Sequence, residues 1–202
     1  MTTNIQRTIA WIVTIIAIGV FSWTLVHAVL FAPDAEVDNP ALAASAPIAR
    51  AASSALPARL IIPSLNVNAA VQQVGLTAQG AMGIPSNFTD VAWYKYGAIP
   101  GQAGSAAIDG HVDNGLSLPG VFKHLGDIQI GDDVYVQQAD GSKLHFVVDE
   151  VETYPYLNTP SGYIFNRADA ARLVLITCEG HWVKQDRTYD ERLVAFSHLV
   201  NS

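Results

Sequence analysis

The chain has 202 residues, 50% of them hydrophobic and 14% charged, with a formal net charge of -7. Its eleven Lys and Arg are scattered without a basic cluster, which argues against a nucleic-acid surface, and the length suits one domain with appendages better than two. A single cysteine excludes an intramolecular disulfide, so packing must hold the fold and an oxidising compartment leaves the thiol free.

Residues 1–8 form a short N-terminus that carries Arg7. Residues 9–32 are an almost unbroken apolar run without a charge, and about 20 such residues at a rise of about 1.5 Å span a bilayer core. A cleaved signal peptide is the rival reading, but its apolar region runs to about 7–15 residues and ends in a small-x-small site that is missing here. Arg7 precedes the run, while Asp34, Glu36 and Asp38 follow it. The positive-inside tendency then leaves the N-terminus in the cytoplasm and the bulk of the chain outside, on the cell membrane through a single pass. Residues 33–56, rich in Ala, Pro and Ser, cannot build a core and are expected to be a linker.

Residues 57–202 have the texture of an all-β domain. Short apolar or alternating runs predict strands over 59–62, 67–74, 105–110, 133–138, 143–153, 172–178 and 192–199. Ala139-Asp140-Gly141-Ser142 predicts a hairpin, because Asp-Gly accepts positive φ at little cost. Pro119 to Leu125 predicts a short helix with Phe122 and Leu125 turned inward. Seven or eight such strands suit a barrel or a sandwich.

The chemistry gathers at strand ends. Arg172 to Cys178 alternates so that Val174, Ile176 and Cys178 share one face and Leu173, Leu175 and Thr177 the other, with Glu179-Gly180 expected to end the run. His111 stands at the end of 105–110, and a histidine within reach of a thiol can activate it and later protonate a leaving amine. If 192–199 pairs antiparallel with 172–178, Arg192 faces Cys178 and can stabilise an oxyanion, with Arg187 as the alternative arginine. The other domain histidines, His124, His145, His181 and His198, fall in the short helix, strand patterns or a loop. An inert cysteine in an anchored binding domain is the non-enzyme alternative, and a tethered cysteine hydrolase the other enzyme reading.

Leu175-Ile176-Thr177-Cys178, Gly110-His111 and Arg192-Leu193-Val194 together resemble the signature of sortases, the membrane-anchored cysteine transpeptidases of bacterial surfaces. Arg59-Leu60-Ile61-Ile62-Pro63, Gly97-Ala98-Ile99-Pro100-Gly101 and Gly110-His111-Val112-Asp113 look most like class F, with class E next, and the likeness runs from about Arg59 to Leu199. It implies an eight-stranded β-barrel with short helices, Cys178 as nucleophile, His111 as general acid/base and Arg192 as oxyanion and substrate stabiliser. It places Thr177 beside the nucleophile, the Glu179 N–H in the oxyanion hole, and the 154–166 loop along the substrate groove. It further implies secreted substrates cut at a Leu-Pro-x-Thr-Gly-like signal between Thr and Gly, and an amine acceptor on a cell-wall precursor or pilin, with no cofactor and no metal. Class F members commonly carry two glycines after the cysteine, where Glu179-Gly180 stands here.

Overall fold

The computed structural model describes residues 2–30 and 55–200. The linker expected over 33–56 therefore lies outside the described residues except at its last two positions. Helix α1, Thr2–Leu30, contains the stretch Ile9–His27, long and apolar enough to cross a membrane. Its large side chains from Ile9 to Val26 are exposed, so none of them is spent on a core.

The remainder is a closed barrel of eight strands. They are β1 Pro57–Ile62, β2 Val67–Val74, β3 Val91–Tyr94, β4 Gly104–Gly110, β5 Asp133–Gln138, β6 Lys143–Pro155, β7 Ala171–Val183 and β8 Thr188–Leu199. Their order around the barrel is β1-β2-β3-β4-β7-β8-β6-β5, and β5 pairs back to β1. The β2/β3 and β4/β7 pairs are parallel, the others antiparallel. Closure satisfies both edges of every strand and so leaves no template for further pairing. The predicted hairpin stands where expected: Gly141 takes φ +87°, and the Gln138 N–H donates to the Ser142 carbonyl at 2.8 Å.

The period of two divides the apolar side chains into two cores. Leu173 and Leu175 point into the barrel with Leu60, Ile108, Phe146 and Leu193. Val174 and Ile176 point outward with Ala107, Val194 and Phe196. That outer patch is covered by Ile164 and Phe165 of α2, Ser161–Phe165. Because the outer faces of β4, β7 and β8 are roofed in this way, a groove forms where the roof stops.

Four expectations are corrected. No helix forms over Pro119 to Leu125: turns lead into a 3-10 turn at Leu125–Asp127, although Phe122 and Leu125 are buried as expected. The N–H groups of Gly120 and Phe122 donate to the carbonyls of Val112 and His111, long-range partners that replace helical ones. Strand β7 does not end at Glu179-Gly180 but continues to Val183 across an irregularity between Glu179 and Trp182, where Gly180 takes φ +82°. His181 thus lies in a strand, and the β7–β8 connection is a short turn with Arg187 at φ +52°. Finally, β3 was not predicted: its four residues are too few and too uniformly apolar to show a period.

Candidate active site

Strands β7 and β8 pair antiparallel with Cys178 opposite Arg192, the juxtaposition expected from strand geometry. Both side chains belong to the outer face and line one open groove of about 1140 Å³. Along its walls lie Asp109 and Gly110 of β4, Tyr156 and Ile164 of the β6–β7 connection, and Ile84 after β2. The expected wall over 154–166 is therefore present from Tyr156 to Asn166.

His111 is placed by β4. The parallel β4/β7 register ends with Asp109 opposite Ile176, and His111 follows the last residue of β4, Gly110, without itself being among the residues that line the groove. The end of β4 is fastened there: Thr177, buried at 1% exposure, donates its hydroxyl to the Gly110 carbonyl at 2.8 Å. Gly110 has no room for a Cβ, which would sit 2.5 Å from the Phe122 ring. The His111 ring packs on Phe88 at 4.8 Å between centroids, and its Nε2 lies 2.9 Å from the Pro85 carbonyl. A carbonyl only accepts, so Nε2 carries the hydrogen in this contact.

Arg192 is held without a carboxylate hydrogen-bond partner among the described residues. Nη1 donates to the carbonyls of Tyr189 and Glu191 at 3.0 and 2.7 Å, and Nη2 to the Thr188 hydroxyl at 2.8 Å. The guanidinium carbon stands 4.4 Å from the centre of the Tyr156 ring. These bonds use three of the five N–H groups of the fork and fix its plane, leaving Nε–H and one Nη2–H for an oxygen in the groove. Arg187 is exposed in the β7–β8 turn and does not line this groove.

Burial pushes the half-buried Cys178 thiol up to about 11; Arg192 opposes the rise, while Asp109 and Asp113 add to it. Burial likewise raises the Asp109 carboxyl to about 7, against the pull of Arg192. Asp113 accepts a hydrogen bond from the Tyr189 hydroxyl at 2.5 Å, which ties the segment after His111 to β8. Glu179 points elsewhere: it lines a separate surface pocket with Lys123, His124 and Glu191 on the opposite side of β7 and β8. The carboxylates that act on the thiol are therefore Asp109 and Asp113, neither of which sequence reasoning had assigned to the site. Asp109 was legible in principle, since the period of two puts it on the face of Ala107. The remaining domain histidines all lie beside surface carboxylates, His145 at 2.6 Å from Asp133, His198 at 3.2 Å from Asp149, His124 at 3.3 Å from Asp127 and His181 at 3.9 Å from Asp190.

Residues 60–200 match a family model described as Sortase domain. Among solved structures the chain is similar to a lid mutant of sortase A from Corynebacterium diphtheriae, with a TM-score of 0.56 and 19% identity over 73% of this chain and 71% of that one. It is also similar to sortase C1 of Streptococcus agalactiae, with a TM-score of 0.53 and 18% identity over 71% and 67% of the two chains. A sortase D5 transpeptidase of Clostridium perfringens gives a TM-score of 0.53 and 17% identity over 72% and 79%. A search among curated proteins finds no match.

Proposed function

The chain belongs to the sortase family, and from that premise we propose that it is a membrane-anchored transpeptidase working through Cys178, His111 and Arg192. The observation that carries the proposal is the pairing of Cys178 with Arg192 on the wall of one groove, beside the strand end that His111 follows. The substrate is a secreted protein with a Leu-Pro-x-Thr-Gly-like signal, and the acceptor an amine on a cell-wall precursor or pilin. The structural relatives named above are sortases A, C and D; class F is the finer assignment carried by the residue motifs.

At neutral pH the resting thiol is protonated, because burial outweighs the attraction of Arg192. The His111 imidazole takes the thiol proton as Sγ attacks the threonine carbonyl, and with Nε2 turned to Pro85 the exchange is assigned to Nδ1. The carbonyl π electrons move to oxygen, and the oxyanion is met by the remaining N–H groups of Arg192 and by the Glu179 backbone N–H. Collapse re-forms the carbonyl and breaks the threonine–glycine C–N bond, and His111 returns its proton to the departing glycine amine. The acceptor amine then attacks the thioester, gives a proton to His111, and leaves Sγ to be reprotonated. Thr177 acts one step back, holding Gly110 and hence the start of the His111 segment. Residues 57–202 form the catalytic domain, 33–56 the linker, and 9–32 the anchor that leaves the barrel outside the cell.

The test is mass spectrometry of the full chain in detergent with Leu-Pro-x-Thr-Gly peptides and a small amine, using Cys178→Ala as control. An acyl adduct on Cys178 and a threonine–amine product are expected. Product carrying water in place of the amine, at saturating amine, identifies a hydrolase; a thiol that neither acylates nor alkylates overturns the enzyme reading.

A further inference from the structure

The mechanism above needs His111 and Arg192 in a fixed relation, yet no strand pairing joins the segments they come from. His111 follows β4, which pairs with β3 and β7, whereas Arg192 belongs to β8, which pairs with β6 and β7. Tyr189, the second residue of β8, reaches toward both. Its hydroxyl donates to the Asp113 carboxylate at 2.5 Å, and its carbonyl accepts from Arg192 Nη1 at 3.0 Å.

On the His111 side that bond has leverage. Residues 112–120 form a narrow loop, closed at its base by the Asp113–Pro119 bridge and by the Gly120 N–H donating to the Val112 carbonyl at 2.9 Å. Within it the buried Asn114 accepts from the N–H groups of Leu116 and Leu118 through Oδ1. Gly120 packs so closely that a Cβ there would collide with the His111 carbonyl. A loop braced in this way moves as one piece, so a hold on Asp113 is a hold on His111. On the other side, the Tyr189 carbonyl and the Thr188 hydroxyl together take both terminal nitrogens of the Arg192 fork. The Tyr189 ring is itself steadied by Trp182, its partner on β7, with centroids 5.4 Å apart and planes at 74°. Burial and the adjoining Asp113 carboxylate push the hydroxyl above the ordinary tyrosine range, so it remains a donor at neutral pH.

We propose that Tyr189 is a positioning residue: its hydroxyl, through Asp113, fixes the segment that carries His111, while its carbonyl fixes the fork of Arg192, so one residue of β8 sets the base and the oxyanion donor relative to each other. The kinetic content rests on the transpeptidase reading; the structural content stands apart from it.

Tyr189→Phe and Asp113→Ala break the bond from its two sides and leave the Tyr189 carbonyl in place. Each is tested in the full chain with a peptide donor and with a nitrophenyl ester of the same acyl group, whose leaving group departs without a proton. The expected result is a fall of about tenfold in the peptide-to-ester ratio of kcat, with KM little changed, because a displaced His111 protonates the departing amine poorly. Asp113→Asn, which keeps an acceptor for the hydroxyl, should recover most of that ratio, and the double variant should lose no more than either single one. An unchanged ratio, or losses that add in the double variant, overturns the proposal even where the melting temperature falls. A second readout needs no turnover: the ¹⁵N spectrum of the His111 ring, assigned with His111→Gln, should show Nε2–H dominant in the native chain and a mixture of tautomers in Tyr189→Phe. A ring spectrum indifferent to Tyr189→Phe overturns the proposal. A native chain that never acylates Cys178 while its ring spectrum responds to Tyr189→Phe would sustain the clamp and overturn the transpeptidase reading.

Discussion

At the scale of single residues, the site is a set of charges balanced against burial. With the Cys178 thiol raised to about 11, only about one molecule in 10⁴ carries a thiolate at pH 7. Alkylation of the free enzyme by iodoacetamide is therefore expected to rise about tenfold per pH unit from pH 7 to 10; a plateau near pH 7 would place a stable thiolate in the resting enzyme. Arg192→Lys keeps a positive charge near the thiol but loses the planar fork that reaches Tyr189, Glu191 and Thr188. A fall in kcat of about 10²-fold is expected, the scale of losing an oxyanion donor, and native turnover in that variant would remove Arg192 from the chemistry. For Asp109, the folded value of about 7 lies above the ordinary 3.8. Between those values the folded chain binds more protons than the unfolded one, so this group's contribution to stability declines as pH rises from about 4 to 7 and is level above. Asp109→Asn is thus expected to melt higher than the native chain at pH 8, with the gap closing toward pH 4; a pH-independent gap would show that the carboxylate is solvated in the folded state.

At the scale of elements, the site depends on how two parallel strands are tied at their ends. Replacing Thr177 by Val keeps the volume but leaves the buried Gly110 carbonyl without its hydroxyl donor, a loss of about 1–3 kcal/mol. Calorimetry should find that loss, and kcat should fall more than alkylation of Cys178 does, because the change acts on the segment leading to His111; equal effects on both would make Thr177 structural only. The same strands explain what was legible in the sequence. The alternation in Arg172 to Cys178 and the β-rich run after Arg192 are long enough to fix faces, and two antiparallel strands with known ends bring Cys178 opposite Arg192 without further information. Asp140-Gly141 declares its hairpin by local backbone preference. The signals that failed are non-local. Val91 to Tyr94 becomes a strand by lying parallel to β2, and Gly120 and Phe122 give up helical bonds for the carbonyls of Val112 and His111. Asp109 was hidden in a strand read only for the histidine that follows it, and one wall of the groove it lines is α2, which arrives from residues more than fifty positions away.

At the scale of the molecule, the apolar surplus of the composition resolves into two separate uses. The barrel buries its own share: both core clusters are drawn from residues beyond Leu56, and neither contains a residue of α1. The large apolar side chains of α1 from Ile9 to Val26 remain exposed, and nineteen residues at about 1.5 Å each give about 28 Å, the thickness of a bilayer core. Water is a poor solvent for such a surface, so the two parts should separate by solubility. The full chain is expected to stay with membranes through alkaline carbonate extraction. A chain starting at residue 55 should be soluble and monodisperse, with a melting temperature in buffer within a few degrees of the full chain in detergent, since no described residue before 55 belongs to either core. Release of the full chain by carbonate would show that α1 does not span the bilayer. A large drop in melting temperature on truncation would show instead that the barrel draws stability from the segments before it, which the placement of its cores does not support.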